Sequence, residues 1–162
     1  MTVTTNFRLT RDMAEQAVGL ALPMIEKAIR NPAIDASGFL HIVIMDPALT
    51  PATASFDEAV LYEFALGDPA ARDADYAAFA RARARTSWCC GMGSQAEQET
   101  RPYLLTPHDT VLCGSTVLDG ITVSVSGAKS WYDEAFSGCV AFCLKAVARS
   151  EENASRRATM TS

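Results

Sequence analysis

The stretch Gly120-Ile121-Thr122-Val123-Ser124-Val125-Ser126-Gly127-Ala128-Lys129-Ser130-Trp131-Tyr132-Asp133-Glu134-Ala135-Phe136 decides the fold. Ile121, Val123 and Val125 alternate with Thr122, Ser124 and Ser126, the period-two pattern of a half-buried strand, and Asp119-Gly120 suits a two-residue hairpin turn. Beyond Gly127 the period becomes helical, with Tyr132, Ala135, Phe136, Cys139, Phe142, Cys143, Ala146 and Val147 on one face. The stretch therefore reads as strand, tight bend and helix start. Backbone N–H groups left free at that helix start, with Lys129 and the Ser126 hydroxyl beside them, can hold an anion. Equally, Asp133 and Glu134 complement the helix dipole, and the same residues describe a well-capped helix.

Outward from this unit, Thr110 to Leu118 reads as the strand that pairs with Ile121 to Ser126. Thr10 caps a first helix with Met13, Ala17, Leu20, Ala21, Met24, Ile25, Ala28 and Ile29 at helical spacing, bent or divided at Pro23. Phe39 to Met45 is apolar on both faces apart from His41 and predicts a central strand. Ala48 to Asp57 has no period and predicts a long turn. Glu58 to Leu66 predicts a second strand with Val60, Tyr62, Phe64 and Leu66 on one face. A helix opens at Asp68-Pro69, runs through Trp88 and stops at Gly91 and Gly93. Gln95 to His108 reads as a loop with at most one helical turn, and the polar tail from 150 to 162 as disordered.

The composition is that of one globular domain: 162 residues, 49% hydrophobic and 20% charged. A formal net charge of −5 gives no basic face for nucleic acid or an anionic membrane, so neither is an expected partner. No apolar run approaches the ~18 residues that span a bilayer, and the cytoplasm is the expected location. Five cysteines without a framework spacing fit a reducing compartment. No CxxC or HExxH spacing predicts a metal site, and none is expected.

In the middle helix the inward positions Tyr76, Phe79, Ala80 and Ser87 bring Arg83 onto the same face, while Arg81 and Arg85 turn outward. A buried arginine must be paired or must hold a ligand, because it does not readily lose its proton. Asp46, Glu63 and Asp133 are the candidate structural partners.

Four segments carry a family likeness: Leu9-Thr-Arg-Asp-Met-Ala-Glu15, Asp46 after the first strand, Arg83-Ala-Arg-Thr-Ser-Trp88, and Val123-Ser-Val-Ser-Gly127 followed by Tyr132-Asp-Glu134. With the order of elements, they make the chain from about Phe7 to Ala148 resemble the GlcG/HbpS-like haem-binding family, which includes the C-terminal domain of PduO-type proteins. The resemblance implies an α/β (α+β) domain with a profilin-like central antiparallel sheet of about five strands flanked by helices, assembled as a homo-oligomer. It divides the chain into a flexible N-terminus at 1–6, a single domain at 7–149 and the tail at 150–162. Carried over by position, it places Arg83, Thr86, Ser126, Gly127, Asp133 and Glu134 in one cleft, with Lys129 and Tyr132 beside them as ligand-binding residues. Where the family has a Gly-Gly-x-Pro segment, this chain has Pro107-His-Asp-Thr-Val-Leu-Cys-Gly114.

The resulting expectation is a small-molecule-binding protein, or a small cofactor-independent acid/base enzyme of lyase or isomerase type, acting on an anionic or aromatic metabolite. Arg83 and the Ser126-Gly127 backbone would anchor a carboxylate, and His108, Asp133 or Glu134 would move a proton, histidine titrating near neutrality without tuning. The alternative is a haem- or corrinoid-binding accessory protein, with His108, His41, Met92 and the cysteines as candidate axial ligands. His41, on the central strand, reads as a hydrogen-bonded core residue.

Overall fold

The computed structural model describes residues 8–71, 73–104 and 113–161. The candidate catalyst His108, the flexible N-terminus at 1–6 and the start of the strand predicted from Thr110 lie outside the described residues. The elements are α1 (Arg11–Ile29), β1 (Leu40–Met45), α2 (Phe56–Ala59), β2 (Val60–Leu66), α3 (Tyr76–Cys90), α4 (Ser94–Thr100), β3 (Ser115–Leu118), β4 (Ile121–Ser126) and α5 (Ser130–Met160). The sheet has four strands in the order β2-β1-β4-β3, antiparallel throughout. The expected sheet of about five strands is thus four among the described residues. The segment from Gln95, read as a loop with at most one helical turn, forms α4 and a 3-10 turn at Pro102–Leu104.

Helices cover both sheet faces. Ile42, Ile44, Val123 and Val125 point into the main core with α1 and α5, while Val43 and Met45 pack with Ala80 and Ala84 of α3 and with Phe56 and Ala59 of α2. This corrects the half-buried strand expected at Ile121–Ser126: every residue of β4 is buried. Its hydroxyl-bearing face looks toward α3, not toward solvent. The hairpin joining β3 to β4 turns at Asp119 and Gly120, which have φ of 49° and 83°. Positive φ at both positions is the mirror-image turn that Asp-Gly favours.

Local chemistry accounts for the other departures. Pro23 does not divide α1, which is continuous from Arg11 to Ile29. The carbonyl it leaves without a donor belongs to Gly19, an exposed residue of the helix. Ser55 and Glu58 form a capping box, which turns the supposed start of the second strand into α2. Asp75 caps α3 through the backbone N–H of Ala78, so the middle helix begins at Tyr76, and Pro69–Ala71 is a separate 3-10 turn. The tail from 150, expected to be disordered, is helical as far as Met160. It contains neither glycine nor proline after Gly138, and Arg156 pairs with Glu152 one turn earlier.

Candidate functional site

The residues predicted to form an anion site come together, but around an internal carboxyl group, that of Asp133. Gly127 has a φ of 150°, and a Cβ there would lie 2.8 Å from the Cα of Leu40 and closer still to the Phe39 carbonyl oxygen. Glycine therefore lets β4 turn against the start of β1 and presents the next amides to the first turn of α5. Asp133, in that turn, accepts from the Ala128 N–H through Oδ1 at 2.9 Å and from Nη1 of Arg83 through Oδ2 at 3.1 Å. The same Nη1 donates to the Val125 carbonyl at 2.7 Å. Beside it, Gly114 donates no side chain, and a Cβ there would fall 2.7 Å from that carbonyl. Arg83 thus closes the β4 ladder where β3 gives out.

Both side chains are out of water, with 3% of the Arg83 side chain and 1% of the Asp133 side chain exposed. Burial lifts the Asp133 pKa from its ordinary 3.8 to about 7, outweighing the pull of Arg83 and of the backbone amides. Nε of Arg83 is buried without a hydrogen-bond partner. Of the partners the sequence offers for Arg83, the structure selects Asp133; Asp46 lies nearest Arg8 at 3.8 Å, and Glu63 is bound by Arg81.

The remaining predicted residues scatter around this pair. Ser126 is buried beneath α3. Thr86 turns its hydroxyl back to the Ala82 carbonyl of its own helix at 3.0 Å. Tyr132 packs on the main core and against Phe136, and Lys129 is exposed, its ammonium 5.8 Å from the Trp131 ring centroid. The inward face of α5 is rotated from the predicted one. Asp133, Phe136, Ser137, Val140, Ala141, Leu144 and Val147 are buried, while Phe142 is 61% exposed.

Glu134 alone among the predicted acids faces an open groove. The groove encloses about 420 Å³ between α4, β3 and the first turn of α5, lined by Gly93, Gln95, Ala96, Glu99, Ser115, Thr116, Val117 and Glu134. Gly93 permits the close approach of α4 to β3, since a Cβ there would sit 3.0 Å from the Ser115 carbonyl oxygen. Ser94 then accepts from the amides of Gly114 and Ser115 at 3.0 and 3.1 Å, fastening the two elements. Gln95 donates to Glu99 at 2.9 Å. Thr116 shares a hydrogen bond with Ser137 at 2.8 Å on the floor. The Glu134 carboxyl is pushed up, first by burial and then by the charge of Glu99, and the neighbouring Cys113 thiol is raised first by burial and then by Glu134. Glu99 was missed in the sequence because it lies in a segment without hydrophobic period, and only α4 brings it opposite Glu134.

Of the histidines that could ligate haem, only His41 lies among the described residues. His41 lies beneath α3 with Nε2 on Glu63 at 2.8 Å, and 12% of its side chain is exposed, too little to admit a macrocycle at the ring. Neither the groove above nor a second one at Glu26, Ile29, Arg30, Gly38 and Leu66 is lined by a histidine, cysteine or methionine.

The architecture and the internal Arg83–Asp133 pair define a mixed α/β domain with a four-stranded antiparallel sheet and helices on both faces. Its fold is that of a DUF336, or GlcG-like, protein. The crystal structure of Klebsiella pneumoniae protein ORFY, with the family model DUF336, superposes with a TM-score of 0.57 at 14% identity, over 90% of this chain and 97% of that one. The Ybr137w protein superposes with a TM-score of 0.57, also at 14% identity, over 83% of this chain and 78% of that one. No family model matches the sequence, and no curated protein matches it. Among the described residues no helix is long and apolar enough to cross a membrane.

Proposed function

We propose that the chain is a divergent GlcG-like protein that binds a small polar metabolite in the groove between α4, β3 and α5, with Glu134 as the group that exchanges a proton with it. The carrying observation is that Glu134 and Glu99 line one groove together with Gln95, Ser115 and Thr116. A carboxyl whose proton is held first by burial and then by the charge of Glu99 can donate at a higher pH than an isolated glutamate. The favoured ligand is neutral or cationic. An anion would meet Glu99 and Glu134, and the cation expected to anchor it, Arg83, is already committed to Asp133. If the site is catalytic, the chemistry is general acid/base catalysis of lyase or isomerase type, without a cofactor.

A homo-oligomer would bury the outer face of α5, where Trp131, Ala135, Cys139, Phe142 and Ala146 fall within one arc of the helix and are exposed. A thermal-shift panel of polyols, amines, hydroxy acids, keto acids and aromatic acids tests the binding site. Stabilisation by neutral or cationic compounds, lost in Glu134→Gln and Glu99→Gln, supports it. Stabilisation by acids alone, unaffected by either substitution, rejects it.

A further inference from the structure

The two edges of the sheet are treated differently. At β3, α4 lies against the outer edge: a Cβ on Gly93 would sit 3.0 Å from the Ser115 carbonyl oxygen, and Ser94 accepts from the amides of Gly114 and Ser115. At β2, the opposite edge, nothing comparable is built. β2 pairs with β1 alone. Among the described residues, the backbone groups of residues 62–66 that point away from β1 have no partner.

The usual guards of a free edge are also missing there. Edge strands are kept from pairing by a proline, a bulge or an unpaired charge. Residues 62–66 hold no proline, and their register with β1 is unbroken, the one irregularity lying beyond Tyr62, between Ile44 and Met45. The one charge, on Glu63, is engaged by His41 and Arg81 of its own protomer. Tyr62, Phe64 and Leu66 pack on the main core yet stay half-buried, and Ala65 on the other face is exposed. Unpaired backbone, aromatic side chains and an apolar flank together suit the addition of another strand.

We propose that β2 is the docking edge for β2 of a second copy of this chain, antiparallel about a two-fold axis at Phe64, so that two four-stranded sheets join into one of eight strands. The sequence is self-complementary in that register. An antiparallel pair about an axis normal to the sheet preserves both faces, so opposed residues must share a face. The axis at Phe64 sets Tyr62 opposite Leu66, Glu63 opposite Ala65 and Phe64 opposite its own copy. Apolar side chains then meet on the α1 face, while on the α3 face a carboxylate meets a small side chain that leaves room for Arg81. An axis one residue earlier would oppose the two Glu63 carboxylates, and like charges directly opposite repel. The favoured register also carries Tyr62, with Arg11 stacked on its ring at 5.4 Å, to the second copy's Leu66. That residue lines a groove of about 320 Å³ with Glu26, Ile29, Arg30 and Gly38, where Glu26 offers Arg11 an opposite charge. A strand from an unrelated protein would need none of this symmetry. The contact is separate from the outer face of α5, which packs on β3 and β4 at the far side of the sheet.

Hydrogen–deuterium exchange and light scattering on a sizing column, both with the full chain, test this. The amides of residues 62–66 that face away from β1 should exchange more slowly as the protein concentration rises. Ala65→Glu faces Glu63 of the second copy twice across the axis and should weaken the pairing about tenfold, halving the mass near the dissociation range. Ala65→Lys meets the same carboxylates with cations and should keep the mass. Equal behaviour of the two variants overturns the proposal. So does a wild-type edge whose outward amides exchange as fast as those of an exposed loop, because nothing then covers it. Protection of those amides that is independent of concentration overturns it as well, because the cover then comes from the same chain.

Discussion

Replacing Asp133 with asparagine separates the two forces acting on the buried pair. Burial raises the Asp133 pKa from 3.8 to about 7 in spite of Arg83, so the folded chain keeps a proton there that the unfolded chain releases near pH 4. A group whose folded pKa is raised contributes its full stability below the unfolded pKa and loses it as the pH climbs through the folded value. At about 1.4 kcal/mol per pH unit, the interval from 3.8 to about 7 amounts to a loss of roughly 4 kcal/mol between pH 4 and pH 7. Asparagine does not titrate, and its amide oxygen can still accept from Ala128. Urea unfolding followed by circular dichroism at several pH values between 4 and 8 measures the effect, because all other titrating groups are common to both proteins. The stability of the wild type relative to Asp133→Asn should fall by roughly 3–4 kcal/mol across that range. A relative stability that grows with pH would mean that Arg83 holds the carboxylate ionised, and the reasoning would fail.

Two further substitutions have defined outcomes. Gly127→Ala drives a Cβ into the Phe39 backbone at a left-handed φ and should cost more than about 3 kcal/mol in chemical unfolding, whereas a loss below about 1 kcal/mol would show that the bend relaxes easily. Phe142→Glu places a charge in the exposed stripe of α5. Light scattering on a sizing column should show the assembly dissociating while the protomer stays folded, and an unchanged mass rules out that face as the contact.

The fold was legible where period and turn chemistry agree. The alternation at Ile121–Ser126, the Asp-Gly turn and the helical spacing beyond Gly127 predicted β4, its hairpin and α5. They did not reveal that β4 is covered on both faces, because serine and threonine read as solvent-facing residues and α3 is distant in sequence. The same blindness affected α5. Its aromatic stripe drew the predicted face toward Phe142, while the core selected Asp133 and Ser137, polar residues whose partners Arg83 and Thr116 lie on other elements. Arg83 was conspicuous as a cation on an inward face, and Asp133 was among its candidate partners. The choice between pair and ligand anchor required the distances. Glu99 and the His41–Glu63 contact left no local trace, since each depends on a strand or helix being laid against another.

The most direct test of the proposed site is to map ligand-induced amide shifts by 1H–15N NMR during titration with the best neutral or cationic compound from the thermal panel. The account predicts perturbations centred on Gln95, Glu99, Thr116 and Glu134, abolished by Glu134→Gln, with the Ser126–Ala128 bend unmoved. Shifts centred on Ser126, Gly127 and Ala128, with Arg83 released from Asp133 to meet the ligand, would contradict it.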